Sequence, residues 1–169
     1  EVIVLPNNKN IIMAAKLSAQ DMTPVHGEVI ETRSVPQGVA ALVAYNGEAT
    51  LDENAEAMRE AIAAVRTGEI TLAARETTLH GIAISEGQPI ALIDGDIALA
   101  AATVGEAVRE CAGRMLEGTD GAIVTLYAGE GVAAADVEAA ATALRESHGA
   151  DVEVVQGGQP HYPYLVGVE

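Results

Sequence analysis

The chain has 169 residues, 25 of them acidic and 9 basic, for a net charge of −16, and 49% of its residues are hydrophobic. That apolar content excludes a disordered chain, and the acidic surface excludes a nucleic-acid binder, because duplex binding depends on cations that displace counterions. Phe and Trp are absent, so the core must be Val, Ile, Leu and close-packed Ala; no apolar run approaches the roughly eighteen residues of a membrane span and no signal peptide is evident, so the expected location is cytoplasmic.

Val2-Ile3-Val4-Leu5 reads as a buried strand that ends at Pro6. It hands over through Asn7-Asn8-Lys9-Asn10 to a helix over about 9–20, and residues 26–32 read as a second strand. Ser34-x-x-Gln37 is a capping-box pattern, with Pro36 in the first turn, where its missing N–H costs nothing. That helix runs to about Tyr45 and stops at Asn46-Gly47. Thr50-x-x-Glu53 starts another helix, which should turn Ala57, Ile62 and Val65 inward and end at Gly68 as its C′ residue.

The pattern then changes. Residues 69–75 read as a strand, followed by short apolar runs at 79–84, 89–93 and 96–100. Asp94-Gly95 between two such runs signals a hairpin, so this part should be an antiparallel meander. Thr103-x-x-Glu106 caps a helix that reaches Leu116 and stops at Gly118. On it Val104, Val108, Cys111 and Met115 form one stripe. Residues 121–127 are a strand, and about 133–147 an alanine-rich helix with Val137, Ala140, Ala141 and Leu144 on one face, closed by Gly149. Two strands, 151–156 and 163–168, flank the turn Gly157-Gly158-Gln159-Pro160. The first and last parts share one plan: strand, turn, helix, strand. The predicted class is α/β, a mixed sheet of βαβ-type units covered by helices with a central antiparallel meander. It forms a single domain over 1–169, or two lobes, 1–68 and 69–169.

Most chemical candidates reduce to structure. Cys111 is the only cysteine, which excludes an internal disulfide and makes it a core thiol. His26, His80, His148 and His161 are scattered without zinc-ligand spacing. His148 suits the C-terminal turn of its helix, where the dipole favours a cation. Asp94 and Asp96 flank a hairpin glycine and need no metal. Gly129-Glu130-Gly131 lacks the third glycine and the lysine of a phosphate loop. No catalytic residue and no metal ligand is assigned.

Two segments remain. At Asn7, Asn8, Lys9 and Asn10, a strand-to-helix junction of the kind that lines ligand crevices, the side chains could hold an anion or a partner. Alternatively Asn7 or Asn8 is simply an N-cap. The second segment runs from Gly157, Gly158 and Gln159 to Tyr162 and Tyr164. Tyrosines beside prolines suit a binding surface, or pack as rings on a sheet edge around a tight turn. If the strands 1–5 and 151–156 were parallel neighbours, both loops would open on one sheet edge.

Four ordered stretches carry a resemblance over the whole chain: VIVLPNNKNIIMAA from Val2, SVPQGVAAL from Ser34, EITLAAR from Glu69, and the ending GGQP-x-YPY to Glu169. Together they resemble the C-terminal domain of the large chain of fatty acid kinase, which is a dihydroxyacetone-kinase-like family. The resemblance implies an excised C-terminal domain, in keeping with a first residue that is Glu1 and not methionine. It implies a parent that phosphorylates a fatty acid, with ATP and magnesium bound by an absent N-terminal domain and no cofactor in this fragment. The implied partners are a DegV-like fatty-acid-binding protein and the remainder of the parent chain. The expected role is therefore non-catalytic docking of that acyl carrier, with Gln37, in the second stretch, added to the candidate contacts. The alternative is a domain that itself binds a small anion or phosphometabolite.

Overall fold

The β-branched run at the start of the chain forms β1 (Val2–Val4), which pairs in parallel with β2 (Gly27–Val29) in a two-stranded sheet. Helix α1 (Ile12–Gln20) connects them, and α2 (Val35–Ala44) and α3 (Leu51–Ala64) follow. This computed structural model describes residues 1–79, 81–119 and 121–169. His80, one of the four scattered histidines, lies outside the described residues. By backbone contacts the chain divides into two units, Glu1–Val65 and Arg66–Glu169.

The first unit has a small core: Ile30, Ala41, Ala55 and Met58, with Ile3, Leu5, Ala44 and Ile62 packed against it. Ser34 caps α2 by accepting the N–H of Gln37, with Pro36 in the first turn. Gln37 Oε1 accepts from Arg33 N at 2.9 Å, one residue earlier than a reciprocal capping box would place it. At α3 the box is complete between Thr50 and Glu53. Asn54, buried at the start of α3, joins it to the preceding loop. Its amide donates to the carbonyls of Asn46, Ala49 and Thr50 and its Oδ1 accepts from Asn46 N.

Two expectations about α3 fail. Its inward residues are Ala55 and Met58, whereas Ala57 is exposed. The helix ends at Ala64, and Gly68 lies within the next strand, β3 (Arg66–Leu72). The glycine there serves packing, since a Cβ would come within 2.6 Å of Cys111 Sγ and 3.1 Å of Met115 Sδ.

The second unit continues with β4 (Thr77–Leu79), β5 (Ile82–Ile84), β6 (Pro89–Ile93), β7 (Asp96–Ala100), α4 (Val104–Leu116), β8 (Ile123–Ala128), α5 (Ala134–His148), β9 (Asp151–Gln156) and β10 (Tyr164–Val168). Its six-stranded sheet runs β7-β6-β3-β10-β8-β9 and is mixed, since β8 and β9 are parallel and every other pair antiparallel. β4 and β5 form a separate antiparallel pair. The β6–β7 turn has positive φ at both Asp94 (53°) and Gly95 (91°), as a tight two-residue hairpin turn requires. Asp94 Oδ1 also accepts from Thr67 N at 3.0 Å. Helices α4 and α5 pack on the sheet over a core that includes Val108, Cys111, Met115, Leu126, Leu144 and Val166. Thr103 caps α4, and Gly149, at φ 62°, ends α5. The shared plan of the two ends is real at the level of topology: β1-α1-β2 and β8-α5-β9 are each a parallel pair joined by one helix. No helix among the described residues is long and apolar enough to cross a membrane.

Candidate functional site

β1 and β2 are parallel, so their carboxyl ends lie side by side, with α1 and α2 beginning from the loops that follow. Asn7 adopts φ 56°, a left-handed conformation that asparagine tolerates better than most residues. Its N–H donates to the hydroxyl of buried Thr32 at 2.9 Å. Its amide lies flat on α2 at Gly38, where any Cβ would overlap it, and its buried Oδ1 has no hydrogen-bond partner. Asn7 therefore ties the loop after β1 to the loop after β2 and to the first turns of α2.

The rest of this loop faces outward. Asn8 Oδ1 accepts from Asn10 N at 2.9 Å, which shapes a local turn. Asn8, Lys9 and Asn10 are exposed, and Lys9 has no ion-pair partner among the described residues. None of the asparagines caps α1, whose N-cap is Ile11 without a side-chain cap bond. The simple capping explanation for this cluster is thus excluded. Gln37 is half-buried and spends its side-chain oxygen on Arg33 N.

The loop over Gly157–Tyr162 is built differently. Gly157 N and Gly158 N both donate to Ala128 O at 3.0 Å. Gln159 Nε2 donates to Tyr127 O at 2.9 Å and Tyr162 O at 3.2 Å, and Gln159 O accepts from Glu130 N. Thr71 Oγ1 donates to His161 O at 2.9 Å. Tyr162 is half-buried, and burial, then Glu69, holds its phenol above its ordinary pKa. Most of this loop's polar capacity is turned inward, stitching it to the end of β8. The expected pairing of β1 with β9 does not occur: β1 pairs with β2, and β9 with β8 in the other sheet. The register thus gives the two loops no common sheet edge.

A feature that sequence reading missed is the outer surface of the first unit. Apart from Leu72, Val154 and Val155, every exposed large apolar residue among those described lies there. Helix α2 contributes Val35, Val39, Leu42 and Val43, spaced to fall on one face, with Leu42 62% and Val43 82% exposed. Its other face buries Gly38 and Ala41. The helix has no charged residue on any side, a pattern of helices that are covered all round. Helix α1 adds Met13, 70% exposed, and Leu17, and buries no residue of its own. The uncharged run from Val35 to Tyr45 was the signal available in the sequence.

Along the outer side of β1 this surface includes a groove of about 300 Å³ lined by Ile3, Leu5, Leu42, Tyr45 and Leu51. A larger groove, about 650 Å³, follows β2. Its cations are already matched, Lys16 with Glu31 and Arg59 with Glu28, so it offers no free positive charge to an anion.

The fold and these surfaces define an α/β domain of the DegV and dihydroxyacetone kinase type. The chain is similar to a DegV family protein from Corynebacterium glutamicum, with a TM-score of 0.67 at 16% identity over 98% of this chain and 73% of that one. It is similar to a Thermotoga maritima protein described as having a fatty acid binding function, with a TM-score of 0.67 at 13% identity over 99% and 68%. It is also similar to the dihydroxyacetone kinase from C. freundii, with a TM-score of 0.62 at 12% identity over 98% and 38%. At such identities these likenesses establish the fold. The FakA-like C-terminal family, the C-terminal domain of fatty acid kinases of this type, matches residues 1–169, and the chain belongs to it. An uncharacterised protein of Staphylococcus aureus strain USA300 is 35% identical over 168 residues, 99% of this chain and 30% of that protein. A relative from the bovine strain RF122 matches equally. The chain thus spans about 30% of the length of the curated relatives it matches.

Proposed function

We propose that this chain is the docking domain of a fatty-acid-kinase-type protein, engaging a DegV-like fatty-acid-binding protein through the outer surface of its first unit. The observation that carries the reading is the uncharged outer face of α2, Val35, Val39, Leu42 and Val43. Burying such a face against a partner gains roughly 25 cal/mol per Å² of apolar area, whereas leaving it in water on a chain of net charge −16 gains nothing. The exposed loop Asn8-Lys9-Asn10 would provide polar contacts at the rim, with Lys9 as the local cation. ATP and magnesium would be bound, and phosphate transferred, by other parts of the parent chain in the cytoplasm. Family membership and the DegV and dihydroxyacetone kinase fold support this division.

The test is isothermal titration of the 169-residue chain with a lipid-loaded DegV-like protein. Leu42→Glu should abolish binding and Lys9→Glu should weaken it. Melting temperatures should stay nearly unchanged, because exposed substitutions usually change stability by about 0.5 kcal/mol or less. Unaltered affinity in both variants would remove the docking face from this unit.

A further inference from the structure

In the second unit α4 and α5 leave a groove of about 660 Å³ at the end where β10 begins, within the range of small-molecule sites. Its walls are Val104 and Gly105 of α4 and Ala139, Ala140 and Ala143 of α5, and Tyr164 lies at its floor. Three features of this groove lack a structural explanation. Tyr164 is only 2% exposed, yet its hydroxyl has no hydrogen-bond partner among the described residues. Such a group costs stability unless something completes it. Asp136, in the first turn of α5, lines the same groove, and its carboxylate has no ion pair or hydrogen bond among them. Gly105 occupies a helical position where a Cβ would meet nothing within 4 Å, so internal packing does not demand glycine there.

The chemistry of the pair selects the ligand. A carboxylate only accepts hydrogen bonds, and a phenol oxygen accepts as well as donates, so an ammonium with three N–H groups satisfies both. Burial, then Asp136, holds Tyr164 above its ordinary pKa, which keeps its hydroxyl neutral. The alanine and valine walls suit an unbranched alkyl stem. Glu106 adds a second acid but already accepts from Ala102 N at 2.8 Å. Arg109, with Glu110 3.9 Å away, also lines the groove and opposes a multiply charged ligand. The chain's charge of −16 raises the local concentration of cations.

We propose that the groove between α4 and α5 is a binding site for a small aliphatic monoamine, its ammonium held between Asp136 and Tyr164 and its stem along the alanine face of α5. The site is independent of the docking face on the first unit.

The experiment is a titration of the isotope-labelled chain with n-pentylamine at physiological salt, followed by amide chemical shifts. Hexanoate, spermidine and Nα-acetyl-lysine methylamide serve as comparison ligands. Saturable shifts confined to 103–109 and 132–143 are expected with n-pentylamine, and none with hexanoate. Asp136→Asn should weaken binding roughly tenfold, and Tyr164→Phe, which keeps the ring, about threefold to fivefold. Glu146→Gln, an equal charge change elsewhere on α5, should leave the affinity unchanged. Unshifted melting temperatures confirm that each variant is folded. The idea is overturned by non-saturable shifts, by affinity that survives both groove variants, by equal binding of hexanoate, or by tighter binding of spermidine. Tenfold tighter binding of the lysine derivative would overturn the free amine and assign the groove to a protein side chain.

Discussion

Cys111 is fully buried, and burial, reinforced by Asp94 and opposed by Arg114 and Arg66, pushes its thiol up to about 12. The thiolate needed for alkylation is thus absent from the folded protein, and iodoacetamide should label Cys111 only after denaturation. Rapid labelling of the native chain would place the thiol elsewhere. Cys111→Ala should cost about 1 kcal/mol through lost packing. Gly68→Ala should cost more, about 1–3 kcal/mol, because its new methyl would meet Cys111 Sγ at 2.6 Å. Combining the two changes should cost less than their sum, since Cys111→Ala vacates the space the methyl needs. Chemical denaturation of the three variants measures this. Asn54→Ala removes four hydrogen bonds in the α2–α3 connection and should cost about 2–3 kcal/mol. At this scale the sequence was legible where spacing alone decides, as for the Cys111 stripe and the Thr50 and Thr103 caps. Gly68 was misread because a glycine after a helix and a glycine under a packed helix look the same in one dimension. The roles of Asn54 and Gln159 were hidden because their partners are carbonyls, which every residue carries.

The elements themselves were largely legible, because strands of β-branched residues alternate with capped, periodic helices. Their pairing was not. A strand's own residues do not state which neighbour it takes, and β1 was assigned a possible partner in β9 that belongs to another sheet. Helix α2 shows a second limit. Periodicity reveals an inner face by contrast with a polar outer one, and VPQGVAALVA has no charged residue to supply that contrast. The element that looks least informative by amphipathicity is the one with the clearest surface signal. A charge on its inner side should act differently from Leu42→Glu. Ala41 is 0% exposed, so Ala41→Glu buries an unpaired carboxylate and should unfold the first unit, detectable as lost α2 amide protection.

Across the whole chain, apolar exposure is concentrated in the first unit and the larger buried core in the second. Such a molecule presents a surface and does not display a reaction centre: among the described residues no three metal-ligating side chains converge. The chain by itself should neither hydrolyse ATP nor form an acyl phosphate. Radiolabelled nucleotide assays on the purified 169 residues test this, and turnover persisting after removal of contaminating kinases would refute it. Function was less legible than fold. The four motif stretches gave the family, but no local pattern marked the α2 surface or the groove at Tyr164, because each is assembled from residues distant in sequence or unremarkable in type.

The two parallel strands at the start of the chain have a consequence for how it yields. In a parallel pair, alternate residues aim their backbone groups away from the partner strand, so Ile3 on one side and Gly27 and Val29 on the other are left outside the ladder. With three residues per strand and a core centred on Ile30, Ala41, Ala55 and Met58, the first unit has little to resist opening. Amides of β8 and β10, inside the six-stranded sheet, should set the slow limit of hydrogen exchange, and those of β1 and β2 should exchange through a cheaper, local event. A protease would therefore enter near the amino-terminal end and leave a resistant core beginning close to Arg66. The segment that offers contacts is also the one whose fold a binding partner could tighten, so occupancy of this domain would be readable as protection from digestion.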